Sequence, residues 1–399
     1  MRKLISLCLI VVLFLCPLAV LASDVDATSP TVSQTEDTTQ LIANAKSGML
    51  IEASTGKILF EKNSHEQMAV ASMTKMMAQI LILEAIENGN LSWDEQITVS
   101  SNAAGMGGSQ IWLEPNEVMS VRDLMKGISM GSANDATVAL AERLGGTEEG
   151  FVAMMNEKAK EMGLTETNFM NSTGLDEDNH YSSAHDMGMI ALELLKHEQI
   201  LEFSSVYEDY LRKDTANPFW LVNTNKLIRT YQGADGLKTG HTDNALYCMA
   251  VTAKKNNMRL IAIVLGEADS KVRNQETAAL LDYGFNLYQI QLVKAKGEVL
   301  GELHVPQGEK QDVEIVALQD IGILAKKNEK VADYQTELQL SEVKLPLKVG
   351  DVVGKVTLKL NGEVVGEYPV TVKEDVNKTK LGTLYWRILE KIFTGESLS

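Results

Sequence analysis

Cysteine is nearly absent from this chain. Its 399 residues include three, and two of them, Cys8 and Cys16, fall in an apolar leader. Beyond the leader only Cys248 is left, so no internal disulfide can form and stability must come from an ordinary core. Positive charge is scarce as well. Lys plus Arg is 37 against 54 for Asp plus Glu, a net charge of −17. It reaches −19 once Arg2 and Lys3 depart with a leader that holds no acid. Phosphate backbones are bound by clustered Lys and Arg, so nucleic acid is disfavoured as a partner. A cell-wall, extracellular or small-molecule substrate fits better.

The leader itself reads as a secretory signal peptide over residues 1–22. Arg2 and Lys3 form a positive start, Leu4 to Leu21 is apolar, and Val20-Leu21-Ala22 supplies a cleavage site. A retained membrane span is weaker because Pro17 interrupts the run. A lipoprotein through Cys16 is weaker still, since the large Leu15 sits where a small residue is needed. Residues 23–40 have few apolar side chains and no period, which predicts a flexible spacer.

Order is expected from Leu41. Residues 48–53 (GMLIEA) and 57–62 (KILFEK) flank Ser54-Thr55-Gly56 and predict a β-hairpin. An apolar helix follows over 72–87, stopped by Asn88-Gly89-Asn90. Further helices are expected over 121–144, 149–163 and 271–290, and strands over 245–253 and 258–265. Strands at both ends with helices between imply an α+β domain built on an antiparallel sheet, residues 41–290. From about 291 to 375 short alternating runs such as DVEIVAL (312–318) and VGKVTLKL (353–360) predict a small all-β domain.

Three short motifs carry chemistry. Ser72-x-x-Lys75 places a hydroxyl and an amine on one helical face. Serine is a poor nucleophile until a neighbour takes its proton, and lysine does so only when neutral. Burial against Met76 and Met77, with repulsion from a second cation such as Lys238, would lower its pKa. Ser132-Ala133-Asn134 follows 60 residues after Ser72, and Lys238-Thr239-Gly240 follows 166 after it. Ser132 suits a proton relay between Lys75 and a leaving group, and Asn134 suits holding a substrate amide. The Ser72 N–H at a helix start, with a second N–H from a strand beginning at His241, could form an oxyanion hole. The His241 side chain is expected to face solvent without a catalytic role.

S-x-x-K, S-x-N and K-T-G in this order form the signature of serine β-lactamases and penicillin-binding proteins. The stretches ASMTKMM, SANDA, NSTGLDEDNHYSSAHDM (171–187) and GADGLKTGHT (233–242) resemble the serine D-alanyl-D-alanine carboxypeptidases, low-molecular-mass penicillin-binding proteins of the peptidase S11 family. The resemblance spans nearly the whole chain after the leader. It implies the acyl-serine transferase fold (β-lactamase/transpeptidase-like) and release of the terminal D-Ala from peptidoglycan stem pentapeptides through an acyl-enzyme on Ser72. It also implies Lys75 as base, Lys238 and Thr239 beside Gly240 as the carboxylate site, acylation by β-lactam antibiotics, and no cofactor or metal. The chain departs from the family at Leu246, where glycine is common, and at Ala133 and Asn116, where glycine is also common. A β-lactamase is the alternative, but no Glu-x-x-Leu-Asn stretch lies between Ser132 and Lys238 to supply its deacylating glutamate. A D,D-endopeptidase and a catalytically silent wall-binding module are the other rivals.

Other features have plainer readings. Asp176, Glu177, Asp178, His180 and His185 lack a regular metal-ligand spacing and are expected to serve structure or the rim of the site. Gly107-Gly108-Ser109 lacks the Lys-Ser/Thr of a phosphate loop and reads as a site-edge turn. The 18 methionines and Cys248 read as core. In the tail (376–399), Leu381, Leu384, Tyr385, Ile388, Leu389, Ile392 and Phe393 trace one helical face. The segment is too short and charged to span a bilayer, so it is expected to lie in a membrane surface. Export to the outer face of the cytoplasmic membrane follows.

Overall fold

The computed structural model describes residues 38–394 apart from 330 and 332. The leader and residues 23–37 of the spacer lie outside the described residues.

The expected hairpin forms as β1 (Ser47–Glu52) and β2 (Ile58–Lys62). Three later strands complete a five-stranded antiparallel sheet: β3 (Ala234–Thr242), β4 (Leu246–Lys255) and β5 (Met258–Glu267), in the order β2-β1-β5-β4-β3. The continuous apolar runs of β1 and β5 are explained by burial on both faces. Met49, Ile51, Ile261 and Ile263 point into the helical cluster, whereas Leu50, Leu260, Ala262 and Val264 point the other way. The far face is covered by the long helix Ser270–Leu287, through Leu280, Leu281 and Phe285. Each buried aliphatic contributes about 1.5–3 kcal/mol by leaving water, which is how this fold does without a disulfide.

The helix α1 (Lys75–Glu87) runs through the middle of the cluster. Its first nine residues, Lys75 to Leu83, are all buried, so it is apolar all round rather than amphipathic. A 3-10 turn, Ala71–Thr74, leads into it. Methionine fills much of the surrounding space, with Met73, Met76, Met77, Met125, Met130 and Met155 all in this core. Cys248 is buried in β4, and burial pushes its thiol up to about 11, as expected of an inert core residue.

Three expectations need correction. The stretch 121–144 is not one helix. It is a helix Val121–Lys126, a π turn Gly127–Gly131, a break at Ser132, and α2 (Asn134–Gly145). Ser132 takes a left-handed conformation (φ 62°, ψ 30°), which no helix accommodates. The strand carrying Lys238 starts at Ala234, well before His241. Two further helices complete the frame of the site, α3 (Glu148–Glu161) and α4 (Ala184–Lys196).

Beyond Leu287 the chain passes directly into a strand, Tyr288–Lys294, so residues 288–290 are not helical. A second five-stranded antiparallel sheet follows (Val299–His304, Asp312–Ala317, Tyr334–Leu340, Val352–Leu360 and Glu363–Val372). Its core centres on the fully buried Tyr368, whose hydroxyl donates to Gly322 O at 2.5 Å. The protein is thus an α+β domain followed by an all-β one.

Candidate active site

The turn before α1 is strained where the chemistry is concentrated. Ala71 has φ +49°, a conformation non-glycine residues seldom adopt, and it presents Ser72 half-exposed at the head of a buried helix. Lys75 is fully buried one turn on. Its Nζ lies 2.9 Å from Ser72 Oγ and 2.6 Å from the carbonyl oxygen of Thr173. A neutral amine meets both partners well, donating to the carbonyl and offering its lone pair to the serine hydroxyl.

The electrostatics favour that neutral form. Burial holds the Lys75 amine well below the usual lysine range, and the charge of Lys238 pushes the same way. Asp135 and Glu148 oppose the shift without reversing it. Lys238 is also buried, with its Nζ donating to Thr239 O at 2.8 Å. Burial, then the charge of Arg273, brings Lys238 down to about 7.

Backbone packing ties the three motifs together. A Cβ on Gly240 would stand 2.7 Å from Val70 O and 3.2 Å from Ser72 N, so β3 can lie against the serine turn only with glycine there. Gly174, at φ +82°, brings the loop bearing Thr173 closer still to Ala71 O. Asn171 shapes that loop by accepting from the N–H groups of Thr173 and Gly174 at 3.2 and 2.7 Å. The Thr239 hydroxyl donates to Thr224 Oγ1 at 2.8 Å, and Thr224 N donates to Met130 O at 3.0 Å. Strand β3 is thereby fastened to the π turn that precedes Ser132.

Ser132 and Asn134 are both buried on the far wall. Among the described residues the Ser132 hydroxyl makes no hydrogen bond to Lys75 or Ser72. Asn134 Nδ2 donates to Gly107 O at 2.7 Å, while its Oδ1 is buried without a hydrogen-bond partner among the described residues. Buried polar atoms are normally satisfied, so an open acceptor in a site reads as a place for a ligand N–H. The glycine pair at 107–108 forms the edge of the site, as its sequence implied.

His241 is exposed, as expected, with its ring 4.1 Å from that of Tyr247. Asn116, at φ +66°, occupies the left-handed turn position where glycine would be at ease. Leu246 also sits at positive φ, +57°, a conformation in which glycine would be at ease. The acidic stretch divides its work. His180 is buried, its Nδ1 accepts from Met170 N (3.2 Å) and its Nε2 therefore donates to Thr74 Oγ1 (2.8 Å). Burial lowers its pKa to about 4, so it stays neutral and supports the turn behind Lys75. Asp176 accepts from Thr242 at the end of β3.

Sequence reasoning missed the Thr173 carbonyl, since a backbone acceptor has no residue signature. Arg273, a buried cation whose charge reaches Lys238, stood in the helical run KVRNQETAALL without a motif to mark it.

A serine and a buried lysine in hydrogen-bond contact, walled by a Ser-x-Asn turn and a Lys-Thr-Gly edge strand, define the active-serine class that unites β-lactamases with penicillin-binding proteins. Within that class the family profile of D-alanyl-D-alanine carboxypeptidase (Peptidase S11) matches residues 32–269. The profile of the penicillin-binding protein 5 C-terminal domain matches residues 288–378. D-alanyl-D-alanine carboxypeptidase DacF of Bacillus subtilis is 46% identical over 353 residues, 88% of this chain and 91% of that protein. DacA of Escherichia coli is 30% identical over 88% of this chain and 87% of its own. The crystal structure of penicillin-binding protein 5 from Haemophilus influenzae superposes with a TM-score of 0.64 at 31% identity, covering 84% of this chain and 98% of the other. Penicillin-binding protein D2 of Listeria monocytogenes, solved in an ampicillin-bound form, gives 0.56 at 34% identity over 61% of this chain and 98% of its own. The chain belongs to the D-alanyl-D-alanine carboxypeptidase family.

Proposed function

We propose that the protein removes the terminal D-alanine from peptidoglycan stem pentapeptides and that Ser72 is the residue acylated. The observation that carries this reading is the 2.9 Å contact between Ser72 Oγ and an amine that burial holds well below the usual lysine range. Lys75 takes the Ser72 proton as Oγ attacks the carbonyl carbon of the penultimate D-alanine. The oxyanion is met by the N–H of Ser72 and a second N–H from β3 at His241. Ser132 passes the proton from Lys75 to the departing amine, and free D-alanine leaves. Water then hydrolyses the ester.

Asn134 Oδ1 accepts from a substrate amide. Lys238 and Thr239, beside Gly240, hold the terminal carboxylate, the one anion in a substrate tail that calls for a buried cation. Penicillins acylate the same serine because they present a strained amide in the same place. The purified protein should release D-alanine from a peptide ending in D-Ala-D-Ala, and Ser72→Ala should abolish release. Release at an undiminished rate by Ser72→Ala would refute the assignment.

Residues 1–22 act as an export signal and 23–40 as a spacer in this reading. Residues 41–290 form the catalytic domain, 291–375 the all-β domain, and 376–399 an anchor on the outer face of the cytoplasmic membrane. The anchor is supported by helix Leu381–Thr394, which leaves Leu381, Tyr385, Trp386 and Phe393 exposed. Arg387 ties its middle to the β domain, donating to Gly308 O and Glu309 O at 2.8 and 3.0 Å. Among the described residues no helix is long and apolar enough to cross a membrane, and an in-plane helix requires none.

A further inference from the structure

Away from the serine, a second group of side chains converges without any part in the peptidase chemistry. His65 follows β2, Glu166 lies in the loop between α3 and α4, and His185 opens α4. One ligand atom from each lies within 4.8 Å of the other two. His65 Nδ1 is 2.9 and 3.1 Å from the two Glu166 oxygens, and the imidazole rings of His65 and His185 stack with centroids 4.5 Å apart.

The shell around the three is built as well. His185 Nδ1 meets Asp186 Oδ1 at 3.2 Å, which fixes its tautomer and leaves Nε2 as a lone-pair donor. Asp186 is itself buried and also accepts from Glu166 N at 2.9 Å and Thr167 Oγ1 at 2.8 Å. Ser183 Oγ donates to Glu166 Oε2 at 2.7 Å. Glu166 and His185 are thus held from behind by one carboxylate and one hydroxyl. Among the described residues no lysine or arginine pairs with Glu166.

We infer that His65, Glu166 and His185 form a binding site for a divalent transition-metal ion, Zn2+ in particular. Two imidazoles and one carboxylate with a fourth position open to water is a ligand set that Zn2+ takes. Tetrahedral bonds of about 2.0–2.1 Å require ligand atoms a little over 3 Å apart, reached here by small side-chain rotations. An ion there would join the loop after β2 to the start of α4. Those segments already meet through His185 N and Ser64 O (2.8 Å) and the Met68–Ser182 bridge, on the chain that leads to Ser72. Glu84, Glu193 and His197 make a rival cluster, but there Lys158 already pairs with Glu84.

Equilibrium dialysis of the full-length, chelator-stripped protein against Zn2+ alone tests the site. One Zn2+ per chain is expected. His65→Ala, on an exposed side chain that folding does not need, should weaken uptake at least about 10-fold. Glu166→Gln should do the same, and His197→Ala should leave uptake unchanged. Co2+ in place of Zn2+ should give the visible absorption of a tetrahedral ion, lost in His65→Ala. No uptake, uptake indifferent to both His65→Ala and Glu166→Gln, or loss in His197→Ala would overturn the site. None of these readouts involves D-alanine release, so the peptidase reading stands or falls separately.

Discussion

Lys75 and Lys238 are two fully buried amines whose charges interact across one site. Like charges brought together out of water cannot both be held at low free energy, so the charge of Lys238 lowers the chance that Lys75 is protonated. The division of labour follows. In the proposed mechanism Lys75, next to Ser72 Oγ, is the one that must be neutral, and Lys238, on the edge strand, is the one a substrate carboxylate would recharge.

The pH dependence of kcat/KM should therefore be bell-shaped. Activity rises as Lys75 loses its proton, at a pH well below that of an ordinary lysine. It falls as Lys238 loses its own near about 7 in the free enzyme. Lys238→Arg, which keeps the charge at every working pH, should move the alkaline limb upward. The folded protein prefers Lys238 neutral, so stability falls as pH drops from the unfolded pKa toward about 7. Lys238→Met should accordingly raise the melting temperature more at about pH 6 than at about pH 9.

A second titration belongs to Glu267 and Glu276. Glu276 accepts from Asn44 N, Asn44 Nδ2 and Ala45 N, which favours its charged form. Burial, with the Glu276 carboxylate beside it, pushes Glu267 up to about 8. Its folded pKa is raised, so the stability it contributes is complete below the ordinary carboxylate range and is lost as pH rises through about 8. Glu267→Gln donates to Glu276 without titrating. Urea midpoints followed against pH should flatten over that window in the variant.

Leu246 should show a reversal of the usual hydrophobic ranking. It is half-buried at φ +57° opposite Thr242. Leu246→Ile keeps the volume but puts a β-branched side chain on a left-handed backbone, and should cost about 1–2 kcal/mol. Leu246→Asn loses apolar contact yet suits that backbone, and should stay within about 0.5 kcal/mol of the parent. Chemical denaturation of the two variants decides it.

Removing residues 378–399 should release the protein from membranes and leave D-alanine release intact, measured by fractionation and activity together. The exposed Leu381, Tyr385, Trp386 and Phe393 are what the membrane would cover.

Much of this could be read from the residues because the signals were local. Ser72 and Lys75 share a turn, and the runs 48–53, 245–253 and 258–265 are apolar at strand length. The break at Ser132 was hidden because the apolar period of 121–144 continues through Gly127–Gly131, and only the left-handed Ser132 reveals it. Strand β3 was foreshortened because Asp235, Gly236, Lys238 and Gly240 are poor strand formers, held in place by pairing with β4 and contact with the serine turn. Thr173 and Arg273 reach the site from sequence positions far from any motif. Tertiary placement decides such residues, and no local pattern records it.

The central claim is that Ser72 is the acylated residue. A time course of labelling with a fluorescent penicillin, followed by peptide mapping, tests it most directly. The account predicts one covalent adduct on Ser72 that forms readily, decays slowly, and is absent from Ser72→Ala. An adduct on another residue, equal labelling of Ser72→Ala, or no adduct at all would contradict it.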